Sequence, residues 1–100
     1  MTTLILTLGV DEFCRSTNLS RDVLVEIVEL GILEPREPQV EPWSFDVDSL
    51  ILAKRALRLK QDFELDWPGI ALALRLFDEL DQLKRENRRL RQRLERFTAH

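Results

Sequence analysis

Apolar and polar positions change period several times along the chain, and each change marks an element. Residues 2–8 (TTLILTL) alternate Thr3, Ile5 and Thr7 with Leu4, Leu6 and Leu8. This two-residue period, rich in β-branched side chains, predicts a short strand, ended by Gly9. From Val10 to about Thr17 the spacing predicts a short helix, with Asp11 and Glu12 in its first turn and Asn18 as a left-handed terminator. Ser20 is placed to cap a second helix over 21–30, in which Asp22 favours the N-terminal dipole and Gly31 suits the position just past the end. Two short helices joined by a tight turn have the layout of a helix-turn-helix.

Pro35, Pro38 and Pro42 then exclude helix, and Trp43 and Phe45 flank Ser44 in a segment that reads as a small β-wing, placed to pair with the N-terminal strand. Asp46 or Asp48 caps a third helix, 46–64, carrying Leu50, Ala53, Leu57 and Phe63 at core spacing. Asp66-Trp67-Pro68 starts a fourth, with Asp66 as cap and Pro68 near the first helical position, where a missing N–H costs nothing. Nothing after Gly69 breaks it, so it runs to residue 100. The expected architecture is mainly α and a single domain: strand, helix-turn-helix and wing in 1–45, a third helix in 46–64, and a long terminal helix in 66–100.

That last helix carries Leu76, Leu80, Leu83, Asn87, Leu90, Leu94 and Phe97 at alternating spacings of four and three. This is an a/d seam of three heptads with Asn87 at an a position. A parallel pair would set Glu79 against Lys84 and Glu86 against Arg91 of the other copy, both attractive. Two readings stand: the stripe is the seam of a homodimer, or it packs on the chain's own helix-turn-helix.

Composition narrows the function. One hundred residues, 44% hydrophobic and 33% charged, supply one core and no large closed pocket. The net charge of −3 hides an asymmetry: residues 1–53 hold ten acids against three bases, and residues 54–100 twelve bases against eight acids. The N-terminal half is thus acidic and the C-terminal half basic, which is a statement about partners. A lone cysteine, Cys14, and a lone histidine, His100, leave no disulfide, zinc cluster or activated nucleophile. The expectation is a cytoplasmic protein, not an enzyme, with no metal, cofactor or small-molecule substrate and no membrane span. Cys14 reads as a small core residue, and Trp43 and Trp67 as packing groups. The arginines at 85, 88, 89, 91, 93 and 96 lie on several faces of one helix without interleaved aromatics, as on a solubilising coiled-coil exterior.

On a helical wheel for 21–30, Val23, Leu24, Ile27, Val28 and Leu30 share one arc, while Asp22, Glu26 and Glu29 share the opposite face with Val25 exposed beside them. In a DNA-reading helix-turn-helix this outward face enters the major groove and carries Arg, Lys, Asn or Gln. Three carboxylates would instead meet phosphates, so direct DNA binding is not expected. The stripe is either a solvated face or, with Glu34, Glu37 and Glu41 downstream, an acidic surface with an apolar centre. The second has the anatomy of an interface for a basic protein. Asp22, Val25, Glu26, Glu29 and Glu34 are the candidate partner-binding residues.

The stretch Val10–Pro35, ending in ELGILEP, resembles the winged helix-turn-helix of MerR-type regulators. More specifically, EFC at 12–14, ELGILEPRE at 29–37, LDWPGIALAL at 65–74 and LKRENRRLRQRLERF at 83–97 resemble the CbpM family of chaperone modulators. The resemblance spans nearly the whole chain. It implies a small regulator that binds CbpA, a DnaJ-like co-chaperone and nucleoid-associated DNA-binding protein, and inhibits its activities. The implied target is the J-domain, whose basic second helix engages DnaK; an acidic face would complement it. The alternative is a short MerR-like transcriptional regulator whose basic terminal helix supplies DNA affinity. MerR-type proteins pair their dimerisation helices antiparallel, against the parallel order favoured by the e/g charges, and orientation stays open.

Overall fold

Five helix starts and stops account for most of the architecture, each set by a side chain or glycine visible in the sequence. In the computed structural model, which describes residues 6–98, the order is β1 (Thr7–Gly9), α1 (Val10–Thr17), α2 (Arg21–Glu29), β2 (Ser44–Asp46), α3 (Val47–Phe63) and α4 (Trp67–Thr98). Asn18 ends α1 in the left-handed region at φ 60°. The Ser20 hydroxyl accepts a bond from the Val23 N–H at 3.2 Å and so satisfies one orphan donor of α2. At its other end Gly31 has φ 78°; the Gly31 N–H donates to the Val28 carbonyl and the Ile32 N–H to the Ile27 carbonyl, both at 3.0 Å. These two bonds define a Schellman motif. The turn delivers Ile32 and Leu33 directly into the core.

Of the two acids offered as cap for α3, Asp46 is the one used: its carboxylate accepts from the Ser49 N–H at 2.9 Å. Asp66 does the same for α4 through the Gly69 N–H at 2.8 Å. A side chain at Gly69 would place its Cβ 2.9 Å from that Asp66 oxygen, so the carboxylate would have to shift to admit one.

Among the described residues the sheet is two short antiparallel strands, with Thr7 opposite Asp46, Leu8 opposite Phe45 and Gly9 opposite Ser44. Gly9 ends the strand as its last residue and is also the N-cap of α1. Residues 2–5 of the expected strand lie outside the described residues. The wing is also less regular than expected. Only Ser44–Asp46 is strand, and residues 34–43 form turns closed by the Arg36 N–H donating to the Ser44 carbonyl at 2.9 Å. Three prolines without N–H groups deny this segment a continuous ladder.

The core joins all these elements. Phe13, Leu24, Ile27, Phe45, Ala53, Ala56 and Ile70 are each at most 1% exposed, with Ile32, Leu33 and Trp67 nearly so. Phe13 and Phe45 stack with ring centroids 4.7 Å apart, and Trp43 meets Phe45 edge-on at 6.4 Å. Buried Thr17 satisfies its hydroxyl by donating to the Phe13 carbonyl at 2.8 Å. Where α3 passes to α4, the Lys60 ammonium donates to the Leu65 carbonyl and sits 5.1 Å from the Trp67 ring centre. Arg55 lies 5.7 Å from that of Phe77. Such cation–π contacts pin the first turns of α4 against α3.

Phe63 is a correction. It lies on the Ala56 stripe of α3, two turns on, yet is 66% exposed. The buried stripe ends at Ala56, and Trp67, on the returning chain, fills the core beyond it. Leu50 and Leu57 pack as expected at the margin.

Beyond Leu74 every described residue of α4 is exposed. The radius of gyration of 18.2 Å reflects this projecting rod, against about 13 Å for a compact chain of this length. Phe13→Ala is expected to lower the unfolding free energy in urea by about 3–5 kcal/mol, and Phe63→Ala to stay within about 0.5 kcal/mol of the parent. Comparable losses would place Phe63 in the core after all.

Candidate functional site

Helix α2 divides its surface as its sequence demands. Leu24 and Ile27 are buried, and Val23, Val28 and Leu30 pack half-buried on the core. The opposite side leaves Asp22, Glu26 and Glu29 exposed, with Val25 beside them 41% exposed. The Schellman turn then brings Glu34 to the surface between buried Leu33 and buried Pro35, while Glu37 and Glu41 are exposed on the wing. The predicted set Asp22, Val25, Glu26, Glu29 and Glu34 is therefore solvent-facing throughout, four of its members on one helix and Glu34 just past its end.

Beside this stripe the fold forms a groove of about 570 Å³, which the sequence pattern did not disclose. It lies between the first turn of α1, the first half of α2 and the end of the wing. Leu24, Val25, Pro42 and Trp43 supply its apolar wall, and Glu12 and Glu41 border it from α1 and from the wing. Asp11 and Arg21, ten residues apart, form an ion pair at its edge, and Arg15 borders it too. Both paired side chains are largely exposed, so the pair contributes little to stability. It occupies the Arg21 charge.

Trp43 packs on Phe45, as expected for a wing aromatic, but also faces the groove. Its indole N–H donates to the Pro38 carbonyl at 3.3 Å, which holds the ring across the wing. The available signal was an aromatic among prolines, a rigid segment that presents a side chain at low entropic cost.

Among the described residues no group of three or more His, Cys, Asp or Glu side chains is arranged to hold a metal ion. Burial pushes the Cys14 thiol up from its ordinary value; Asp11 acts in the same sense and Arg21 in the opposite one. The thiol is therefore protonated at neutral pH, which suits a half-buried packing residue. No helix among the described residues is long and apolar enough to cross a membrane.

The seam residues occupy the projecting part of α4. Leu76, Leu80, Leu83, Leu90, Leu94 and Phe97 are between 47% and 84% exposed, and Asn87 lies exposed among them. The stripe does not pack on the chain's own helix-turn-helix.

A helix-turn-helix, a proline-rich wing and a long terminal helix define the architecture of MerR-type regulators, and a family model described as "MerR HTH family regulatory protein" matches residues 8–92. Chaperone modulatory proteins CbpM of Escherichia coli, strain K12 / DH10B among them, and of Shigella boydii serotype 18 are 51% identical over 100 residues, covering all of this chain and 99% of theirs. The chain belongs to the MerR-type helix-turn-helix family and, within it, to the CbpM chaperone modulatory proteins.

Proposed function

We propose that this chaperone modulatory protein binds the J-domain of the DnaJ-like co-chaperone CbpA and inhibits its co-chaperone and DNA-binding activities by occluding a basic surface. The observation that carries the reading is the exposed carboxylate stripe of α2 with Val25 at its margin, on the face a DNA-reading relative would turn to the major groove. A charged surface around an apolar anchor suits a basic protein partner, giving long-range steering and a desolvated centre. Asp22, Val25, Glu26 and Glu29 make the contact on α2, with Glu34 at its edge. Occlusion needs neither catalysis nor a cofactor.

The protein acts as a homodimer. A row of half-exposed leucines on a charged rod is costly in water, and a second copy covers it with matching side chains. The family match keeps a second reading in view, a short DNA-binding transcriptional regulator; the carboxylates of α2 speak against it, because DNA binding rests on neutralised phosphates.

Three measurements test this. Sedimentation at micromolar concentration is expected to give twice the chain mass, and the double change Leu83→Asp, Leu90→Asp to give monomers; a parent that stays monomeric removes the dimer. A gel shift in low salt is expected to show no retarded duplex, and salt-sensitive micromolar retardation would promote the transcriptional reading. In calorimetry against the purified J-domain, Glu26→Lys is expected to weaken binding more than Asp22→Lys or Glu29→Lys, by up to about 2–5 kcal/mol if the contact is dry. Val25→Asp is expected to speed dissociation while barely slowing association. Unchanged binding of both Glu26→Lys and Val25→Asp, with circular dichroism confirming the fold, would move the interface elsewhere.

A further inference from the structure

We propose that the groove between α1, α2 and the wing, rather than the α2 stripe alone, is the centre of the docking surface, and that it takes an apolar side chain from a basic amphipathic helix of the partner. The inference rests on the J-domain reading above and specifies how that partner is held.

Three observations lead there. First, the groove has an apolar lining for an inserted side chain, made by Leu24, Val25, Pro42 and Trp43. A volume of about 570 Å³ falls within the range of clefts that bury a ligand, yet the groove is open to solvent, which suits side chains carried on a macromolecule. Second, its borders are acidic from two independent elements, Glu12 of α1 and Glu41 of the wing. Arg21 is held by Asp11, leaving Arg15 as the groove cation outside the ion pair recorded there. Third, Val25 belongs both to the groove and to the margin of the Asp22/Glu26/Glu29 stripe, so the two surfaces are continuous.

Carboxylates flanking an apolar trough select a side chain that is apolar itself and has Lys or Arg one turn to either side. A helix supplies that spacing and satisfies its own backbone hydrogen bonds, which matters because the groove offers side chains rather than an open strand edge. Trp43 is the expected energetic centre, since a tryptophan held by its N–H in a partly desolvated site is the commonest kind of interface anchor. The stripe then acts mainly as the steering field around it.

The test is a nuclear magnetic resonance titration of the ¹⁵N-labelled full chain with unlabelled CbpA J-domain, combined with calorimetry of variants. Two tryptophans give two indole signals, assigned by Trp43→Phe. The Trp43 signal is expected to shift on titration while that of buried Trp67 stays in place. Trp43→Ala is expected to weaken binding roughly tenfold or more, and Glu12→Lys and Glu41→Lys, which leave the core untouched, each about three- to tenfold. A J-domain that binds the parent without moving the Trp43 signal, and with full affinity for Glu12→Lys and Glu41→Lys, overturns the groove and leaves the J-domain reading standing. A J-domain that does not bind the parent overturns both. A Trp43 signal that moves on dilution of the protein alone would identify a second copy as the occupant and likewise overturn the proposal.

Discussion

The stack of Phe13 on Phe45 is the contact on which the rest of the head depends. One ring comes from α1 and the other from β2, both are fully buried, and their centroids are 4.7 Å apart. Phe45 is also the strand residue opposite Leu8, so the same side chain sets the register of the sheet. Asp46, the next residue, caps α3. Displacing this pair would therefore disturb the helix-turn-helix, the strand pairing and the start of the third helix together. It would also open the groove, since Trp43 rests edge-on against Phe45 and forms the wing side of that groove.

From this core the molecule divides by charge and by shape. The head gathers most of the acids of the first half of the sequence on its surface, and the rod formed by the second half of α4 carries six of the twelve arginines. The two parts are joined where Lys60 and Arg55 lie over Trp67 and Phe77, pairing cations of α3 with aromatic rings of α4. The arrangement keeps the acidic face of α2 and the apolar stripe of α4 on separate parts of the chain. Each can engage a different surface without competing for the same side chains. A fold used elsewhere to read DNA thus carries carboxylates on the corresponding face of α2.

Much of this was legible in the residues themselves. Ser20, Gly31, Asp46 and Asp66 mark helix ends through local hydrogen bonds and backbone preferences, which operate over a few residues and leave a signature in the sequence. The heptad spacing of α4 and the carboxylate spacing of α2 are legible for the same reason, since periodicity alone assigns a helical face. Local rules failed where the end of the core mattered. Phe63 has the spacing of a core residue, but burial depends on whether a neighbouring element reaches that turn. The wing is less regular than the alternation at Trp43 and Phe45 suggests, because its prolines lack the donors a ladder needs.

The sequence by itself determined the helices, their caps, the acidic face with Asp22, Val25, Glu26, Glu29 and Glu34, and the resemblance that pointed to a chaperone modulator. The packing in three dimensions left the leucines of α4 uncovered by the other described residues, and brought Glu12, Val25, Glu41 and Trp43 to one groove. The reason is separation along the chain. Glu12 and Trp43 are brought together by the pairing of β1 with β2 and the packing of Phe13 on Phe45, long-range contacts that carry no periodic trace in the residues between them.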